Sequence, residues 1–226
     1  MTLSDQPAPP GNPVAKSGVM KLFPTYVWAT QLKPEAFKPI NEGVERYLRE
    51  LAEQRPALSA SGQWQTAQDL HRQTAFAGLL AIVEASARGI CDSLTLIYDR
   101  LEVTGCWANV SHRGFPHRQH FHPNNYLSGA YYVRTAPGAD SISFHDPRPQ
   151  AGMLVPPARD QDLANPDQVS LDVHDGMLVM FPAWLQHSVP PNQSEVTRIS
   201  VAFNLMFPEF GVKMAGPLWQ GDAAKD

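Results

Sequence analysis

Residues 175–203 read DGMLVMFPAWLQHSVPPNQSEVTRISVAF. An Asp-Gly turn signal opens this stretch and a short apolar run follows it. The stretch closes on a run in which β-branched and aromatic residues alternate with polar ones. Prolines interrupt both runs before they reach the length of a helix. The stretch therefore predicts two short strands, with His187 just past the end of the first.

The same pattern recurs along the chain beyond residue 101. Short runs rich in β-branched and aromatic residues are separated by Gly, Pro, Asp and Asn: CWANVSH, YLSGAYYVRT, SISFHD, GMLVPP, QVSLDV, GMLVMFP and RISVAFNLMF. Six or more strands at this spacing are typical of an antiparallel sandwich or barrel, and not of a parallel α/β sheet. We therefore predict a mainly β fold of the α+β kind, built on an antiparallel double sheet.

The chain before residue 102 predicts helices. Apolar residues at spacings of three and four indicate one helix from Pro34 to Pro56 and a second over residues 74–101. Residues 58–70 lie between them and predict a loop or an edge hairpin, while residues 19–32 predict an entry strand interrupted at Pro24. We expect both helices to pack on the outside of the double sheet.

These elements predict a single domain over residues 19–226. Residues 19–101 supply its strand and helices, residues 102–210 its β core, and residues 1–18, rich in Pro, Ser and Gly, a flexible tail. The N-terminal helices leave a homodimer possible. With 226 residues, one domain is enough.

Composition narrows the class of protein. Hydrophobic residues make up 43% and charged residues 18% of the chain, and the net charge of −4 argues against a nucleic-acid partner. Two cysteines without a secretory leader fit a reducing compartment, and no apolar run approaches the length of about 20 residues that a membrane span requires. We expect a cytoplasmic protein with no membrane partner.

Histidines gather in one segment. Four of the eight lie within residues 112–122, and PHRQHFHPN places His120 and His122 two residues apart. In an extended segment such residues point the same way, so both imidazoles can reach one metal ion while Phe121 turns away. Taken alone, an H-x-H motif is more often an incidental pair on a solvated loop.

A second group of polar residues follows downstream. Ten residues separate His187 from Arg198, and Arg198 and Ser200 share one face of the predicted last strand. An inward Arg in an apolar strand is costly unless it is paired, which favours an acidic ligand, and its guanidinium binds a carboxylate through two hydrogen bonds. A surface cation and a turn histidine are the simpler alternatives.

Several further residues are candidates to orient a co-substrate or a substrate. Asn204 has the same strand parity as Arg198 and Ser200. Asn109, Tyr131 or Tyr132, and Trp184 lie near the expected site; core packing is an equal alternative for the tyrosines.

Together these motifs resemble the 2-oxoglutarate- and Fe(II)-dependent dioxygenase superfamily. That family carries an H-x-D/E…H triad and a distal R-x-S on a double-stranded β-helix, a cupin-like jelly roll. More narrowly, WANVSHRGFPHRQHFHPNNYLSGAYYV, FPAWLQHSVPPN and RISVAFNL resemble a bacterial and phage branch with an H-x-H-P motif. The resemblance covers about residues 106–207, with a weaker match around LFPTYVW and GQWQTAQDLH.

The resemblance implies a set of roles. His120 and His187 would bind Fe(II), and Arg198 and Ser200 would hold the C5 carboxylate of 2-oxoglutarate, with Asn204 beside them. Such an enzyme hydroxylates a small-molecule or peptide substrate with O2 and releases succinate and CO2. The sequence does not indicate which substrate.

One position departs from the family pattern. His122 stands where the triad has its carboxylate. Either the centre has three histidine ligands, which we favour, or His122 only neighbours the metal and water fills the vacancy. Asp146 or Asp172 could bring a carboxylate from another strand, although their spacing does not require it.

Two other functions use the same residues. A three-His iron dioxygenase without 2-oxoglutarate would give Arg198 a substrate carboxylate to bind. A non-catalytic jelly-roll module would use the histidines to hold a structural ion such as Zn²⁺.

Overall fold

The computed structural model describes residues 22–54, 63–150, 153 and 167–209. Within them, the helices are α1 (Pro34–Glu53) and α2 (Ala77–Ser93), and two 3-10 turns, Leu70–Arg72 and Thr74–Phe76, precede α2. The strands are β1 (Trp28–Gln31), β2 (Gln63–Gln65), β3 (Glu102–Ser111), β4 (His117–His120), β5 (Leu127–Arg134), β6 (Ser141–His145), β7 (Gln168–Asp172), β8 (Met177–Pro182), β9 (His187–Val189) and β10 (Arg198–Met206).

These strands form two antiparallel sheets. The large sheet has the order β1-β8-β5-β10-β3-β2, and the small sheet has the order β4-β9-β6-β7. Strand β10 lies between β5 and β3, so Ser200 is the cross-strand neighbour of both Tyr132 and Asn109. The predicted antiparallel double sheet is confirmed.

Each face of the large sheet has its own core. Residues such as Val201, Phe203 and Leu205 on one face pack with Val44 and Leu48 of α1 and with buried residues of α2. On the opposite face, Tyr132, Val179 and Phe181 pack against Ile142 and Phe144 of the small sheet. The helices therefore cover the outer face, as predicted, and the small sheet covers the inner face.

Helix α1 is fixed to the large sheet by a buried amide. Asn41 donates a hydrogen bond from Nδ2 to the Val133 carbonyl (2.7 Å), and its Oδ1 accepts one from the Tyr131 hydroxyl (2.6 Å). Proline at the start of the helix fits a position where its missing N–H is not needed. The turn at Gly176 (φ 78°) also requires glycine, because a Cβ there would lie 2.3 Å from the Phe37 ring.

The second helix is shorter than predicted. It ends at Ser93, and Thr95 follows with a left-handed φ of 53°, which turns the chain away from the helix axis. Ile97, expected on its buried face, is fully exposed. The predicted helix was too long because Leu94 and Ile97 continue the apolar spacing of three residues beyond Ser93. This spacing does not indicate the turn at Thr95.

Among the described residues, one helical stretch has the length and composition of a membrane span. Thr74–Ser93 has a mean hydropathy of 1.4, so the expectation that no run is long enough was wrong. Leu79, Val83, Ala87 and Ile90 of this stretch pack in the outer core, as in the core helix of a folded domain.

Other boundaries shift by a few residues. The entry strand forms only over Trp28–Gln31, and the predicted loop or edge hairpin supplies β2 at the edge of the large sheet. The N-terminal tail and most of the predicted strand GMLVPP lie outside the described residues.

Candidate metal centre

Three neighbouring elements of the structure bring three histidines together. His120 ends β4 and pairs with His187, the first residue of β9. His187 therefore begins a strand, whereas the sequence placed it after one. His122 follows β4 in an extended segment whose backbone N–H donates to the Ala183 carbonyl (2.9 Å), and Phe121 between them is 49% exposed. The alternation predicted for H-x-H is present.

The three imidazoles surround one point. Ring centroids are 4.3 Å apart for His120 and His187, 5.0 Å for His120 and His122, and 5.2 Å for His122 and His187. One nitrogen of each ring lies within 4.8 Å of the others. Histidine nitrogens bind transition metals at about 2.0–2.1 Å, so small side-chain rotations would close the three rings on one ion.

Hydrogen bonds leave the correct nitrogens for a metal. Nδ1 of His120 lies 2.7 Å from the Arg118 carbonyl, and Nδ1 of His187 lies 2.9 Å from the Leu185 carbonyl. Because a carbonyl only accepts, both Nδ1 atoms carry the proton and both Nε2 lone pairs are free to bind. Burial lowers the pKa of His187 to about 3 and that of His122 to about 4. Both rings are therefore neutral at pH 7, as metal binding requires.

No carboxylate of the described ranges joins this cluster. Asp146 pairs with Arg148, which lowers the pKa of its carboxyl group, and Asp172 is exposed at the end of β7. Neither lines the cavity that contains the histidines. The donor set consists of three neutral imidazoles, a set that suits Fe(II), Zn²⁺ and other first-row metals.

The histidines line a cavity of about 590 Å³ between the two sheets. Arg198 lines it too, although its side chain is almost fully buried, with 5% exposed. Its guanidinium donates to the Ser141 carbonyl (3.2 Å) and lies 5.3 Å from the Tyr132 ring centre. Among the described residues no carboxylate lies within ion-pair distance of Arg198. Burial lowers the pKa of Arg198, while the charge of Asp140 raises it from beyond that distance. A buried guanidinium without a direct ion pair is costly, and an anionic ligand in the cavity would compensate it.

A row of polar side chains crosses the large sheet beside Arg198. Ser200 lies between Tyr132 and Asn109, and all three line the cavity. Within the described chain, the Tyr132 hydroxyl and Asn109 Oδ1 are buried without a hydrogen-bond partner. Burial raises the pKa of Tyr132, and Arg198 opposes this rise without lying in good hydrogen-bond geometry. Unsatisfied buried groups facing a cavity are typical of a ligand site.

Asn204 also faces the cavity, two inward positions beyond Ser200 along the strand. Its Oδ1 accepts a hydrogen bond from Ser128 (2.5 Å). The parity argument therefore placed Arg198, Ser200 and Asn204 on the correct face. The structure brings them together, and their roles in binding remain predictions.

Two candidate residues lie elsewhere. Tyr131 neighbours Tyr132 in β5 and so points to the opposite face, where it packs in the outer core and binds Asn41. Trp184 lies between β8 and β9, is 54% exposed and lines a different groove with Phe23. Neither lines the metal cavity; of Tyr131 and Tyr132 it is Tyr132 that does.

Two further residues line the cavity although the motifs did not single them out. Trp107 lines the cavity, and its ring centre lies 5.8 Å from that of His122. Its parity with Asn109 in β3 was a usable signal. His117 lines the cavity as well. An odd spacing of three from His120 would place it on the opposite face of a regular strand, so alternation gives no signal for it.

The family comparison agrees with this geometry. Residues 105–204 match the model of the family described as "Putative 2OG-Fe(II) oxygenase". The matched range contains the three histidines, Arg198 and Ser200, and it confirms the family resemblance seen in the motifs. Comparison with curated proteins gave no match.

Solved structures share the fold at low sequence identity. A Pseudomonas putida prolyl-4-hydroxylase matches with a TM-score of 0.55 and 16% identity, over 80% of this chain and 92% of that one. HygX from Streptomyces hygroscopicus, with nickel and 2-oxoglutarate bound, matches with 0.55 and 13%, over 81% and 83%. A Trichoplax adhaerens prolyl hydroxylase in complex with a peptide fragment matches with 0.57 and 13%, over 84% and 87%. The predicted jelly roll is confirmed.

Proposed function

We infer from the 2OG-Fe(II) oxygenase domain at residues 105–204 that this chain is an oxidoreductase that uses Fe(II), 2-oxoglutarate and O2. The observation that carries this conclusion is the shared cavity. Three convergent imidazoles line it together with a buried guanidinium that has no ion pair among the described residues. When bound, iron and 2-oxoglutarate supply oxygen activation coupled to hydroxylation, with release of succinate and CO2.

The protein's own groups would divide the work of binding. His120, His122 and His187 would hold the metal in the cavity that they line. Arg198 binds the distal carboxylate of the co-substrate, and the hydroxyl groups of Ser200 and Tyr132 can add hydrogen bonds. Arg198 is almost fully buried, which strengthens its charge interactions.

Co-substrate turnover tests this proposal. Fe(II)-loaded protein should convert 2-oxoglutarate to succinate slowly without substrate, and Arg198→Ala should reduce this conversion because the buried guanidinium no longer neutralises the carboxylate. Arg113→Ala, which changes an exposed arginine paired with Glu195, is the matched control. Equal succinate formation in Arg198→Ala and wild type would contradict the co-substrate assignment.

A three-His dioxygenase that does not use 2-oxoglutarate is the second candidate function. The neutral donor set favours it, because all three described ligands are imidazoles. In that case Arg198 would bind a substrate carboxylate. Oxygen uptake with and without 2-oxoglutarate separates the two functions, since only the first requires the co-substrate.

The substrate we propose is a small molecule or a peptide side chain. The cavity of about 590 Å³ is large enough for 2-oxoglutarate and a modest second molecule. Two structural neighbours are described as prolyl hydroxylases, one of them bound to a peptide fragment, which supports including peptides in a substrate screen. A cytoplasmic location remains part of the proposal, supported by two free cysteines.

A further inference from the structure

A β-bulge places a fourth histidine in the metal cavity. His117 pairs with Val189 and His120 pairs with His187. Between these two pairs β4 advances by three residues and β9 by only two, so β4 contains one extra residue. The register shift between them turns His117 and His120 to the same side, whereas a regular strand would point them apart. Both residues line the cavity.

His117 lies on the side of the triad that leads to Arg198. Along β9, Val189 is one inward position beyond His187, and the pairing places His117 at that level. Burial, the positive charge of Arg198 and the neighbouring His120 all lower the pKa of His117, to about 4. The imidazole is therefore neutral at pH 7, and it is close enough to both groups for their charges to act on it.

This position matches the far end of a bound 2-oxo diacid. A co-substrate that reaches from the triad to Arg198 would lie in the cavity that His117 also lines. Arg198 has a single described hydrogen bond, to the Ser141 carbonyl, so most of its N–H groups can point at a carboxylate. A carboxylate that binds Arg198 through two hydrogen bonds keeps acceptor sites for other donors, because it has about four lone-pair sites. A neutral imidazole can supply one such donor without repelling the guanidinium.

We propose that His117 is a positioning residue that donates an imidazole N–H to the distal carboxylate of 2-oxoglutarate, beside Arg198. The proposal rests on the function proposed above. It predicts that His117 contributes to affinity for the distal carboxylate and not to affinity for the metal.

Calorimetric titration of the Ni(II)-loaded protein tests this role without turnover. The two titrants are 2-oxoglutarate and 2-oxobutyrate, which has the same 2-oxo acid end and no distal carboxylate. His117→Leu removes the donor, and His117→Gln keeps an amide N–H. Loss of one hydrogen bond to a charged group should weaken 2-oxoglutarate binding about 10-fold or more in His117→Leu. His117→Gln should recover most of this loss.

Binding of 2-oxobutyrate and of Ni(II) should stay as in wild type in both variants, which also shows that the variants are folded. Equal weakening of both 2-oxo acids, or weaker Ni(II) binding, would overturn the role of His117. Unchanged 2-oxoglutarate affinity in His117→Leu would overturn it too, while the proposed function would stand. If wild type itself does not prefer 2-oxoglutarate to 2-oxobutyrate, both proposals fall.

Discussion

The two faces of the large sheet use the same strands for different purposes. On the outer face of β10, Val201, Phe203 and Leu205 are buried against the helices. On the inner face, Arg198, Ser200 and Asn204 of the same strand are also buried but polar, and they line the cavity. The outer face supplies hydrophobic stabilisation, whereas the inner face keeps unsatisfied polar groups that lower stability and serve a ligand.

The largest effect on stability is expected on the outer face. Phe203 is almost fully buried, so Phe203→Ala should lower the free energy of unfolding by about 3–5 kcal/mol through lost burial and a cavity. Ser200 lies on the inner face of the same strand, and Ser200→Ala should change the free energy of unfolding by less than about 1 kcal/mol. Urea denaturation of the metal-free proteins measures both. Equal losses for the two variants would remove the distinction between the faces.

Replacing His122 tests the metal end of the inner face. Loss of a group that only orients a metal ligand typically weakens metal affinity by about 10- to 100-fold. If His122 binds the metal directly, His122→Ala should weaken Fe(II) affinity by more than that. His122→Asp should retain binding, because it restores a carboxylate donor. A competition titration with a chelator measures the affinities. A loss below 10-fold in His122→Ala would favour the alternative in which water fills the vacancy.

Replacing Arg198 should have the opposite effect to replacing Phe203: a loss of ligand binding with little loss of stability. Arg198→Met replaces a buried cation, which has no ion pair within the described ranges, by an apolar side chain of similar length. The free energy of unfolding should therefore stay within about 1 kcal/mol of wild type or rise. Binding of 2-oxoglutarate should nevertheless be lost. Thermal unfolding of the metal-free protein checks the first statement, and a large drop in stability would mean that Arg198 is mainly structural.

The smallest effect on stability is expected when the pH is lowered. Burial lowers the pKa of His187 to about 3, and of His117 and His122 to about 4, below the value of 6.5 in the unfolded chain. Unfolding therefore takes up protons in this window, so stability of the metal-free protein should fall as pH decreases from about 6.5 to about 4 and stay flat above it. Urea midpoints across this range should show a shallower slope in His187→Gln, with His174→Gln, at an exposed site, as the control.

Local alternation predicted much of this arrangement. Two-residue spacing placed His120 with His122, and Arg198 with Ser200 and Asn204, because the pleat of a strand fixes side-chain direction. It also could have identified Trp107 through its parity with Asn109. The same rule left Tyr131 and Tyr132 undecided, since it states that they oppose each other but not which one is inside.

Features that depend on non-local pairing were not predictable in this way. His117 enters the cavity through a bulge set by the pairing of β4 with β9, which the segment itself does not reveal. Helix α2 ends at a left-handed Thr95, a conformation that β-branched residues rarely adopt and that apolar spacing does not signal. Trp184 faces outward because the turn between β8 and β9 breaks the alternation of the strands.

The most direct measurement of the central claim is an anaerobic titration of the Fe(II)-loaded protein with 2-oxoglutarate, followed by visible absorption. Wild type should develop a weak metal-to-ligand charge-transfer band that saturates with co-substrate, and Arg198→Ala should require far more 2-oxoglutarate to reach it. If iron binds to wild type and no band forms at any concentration, the inner face does not hold 2-oxoglutarate on the metal, and the proposed function is wrong.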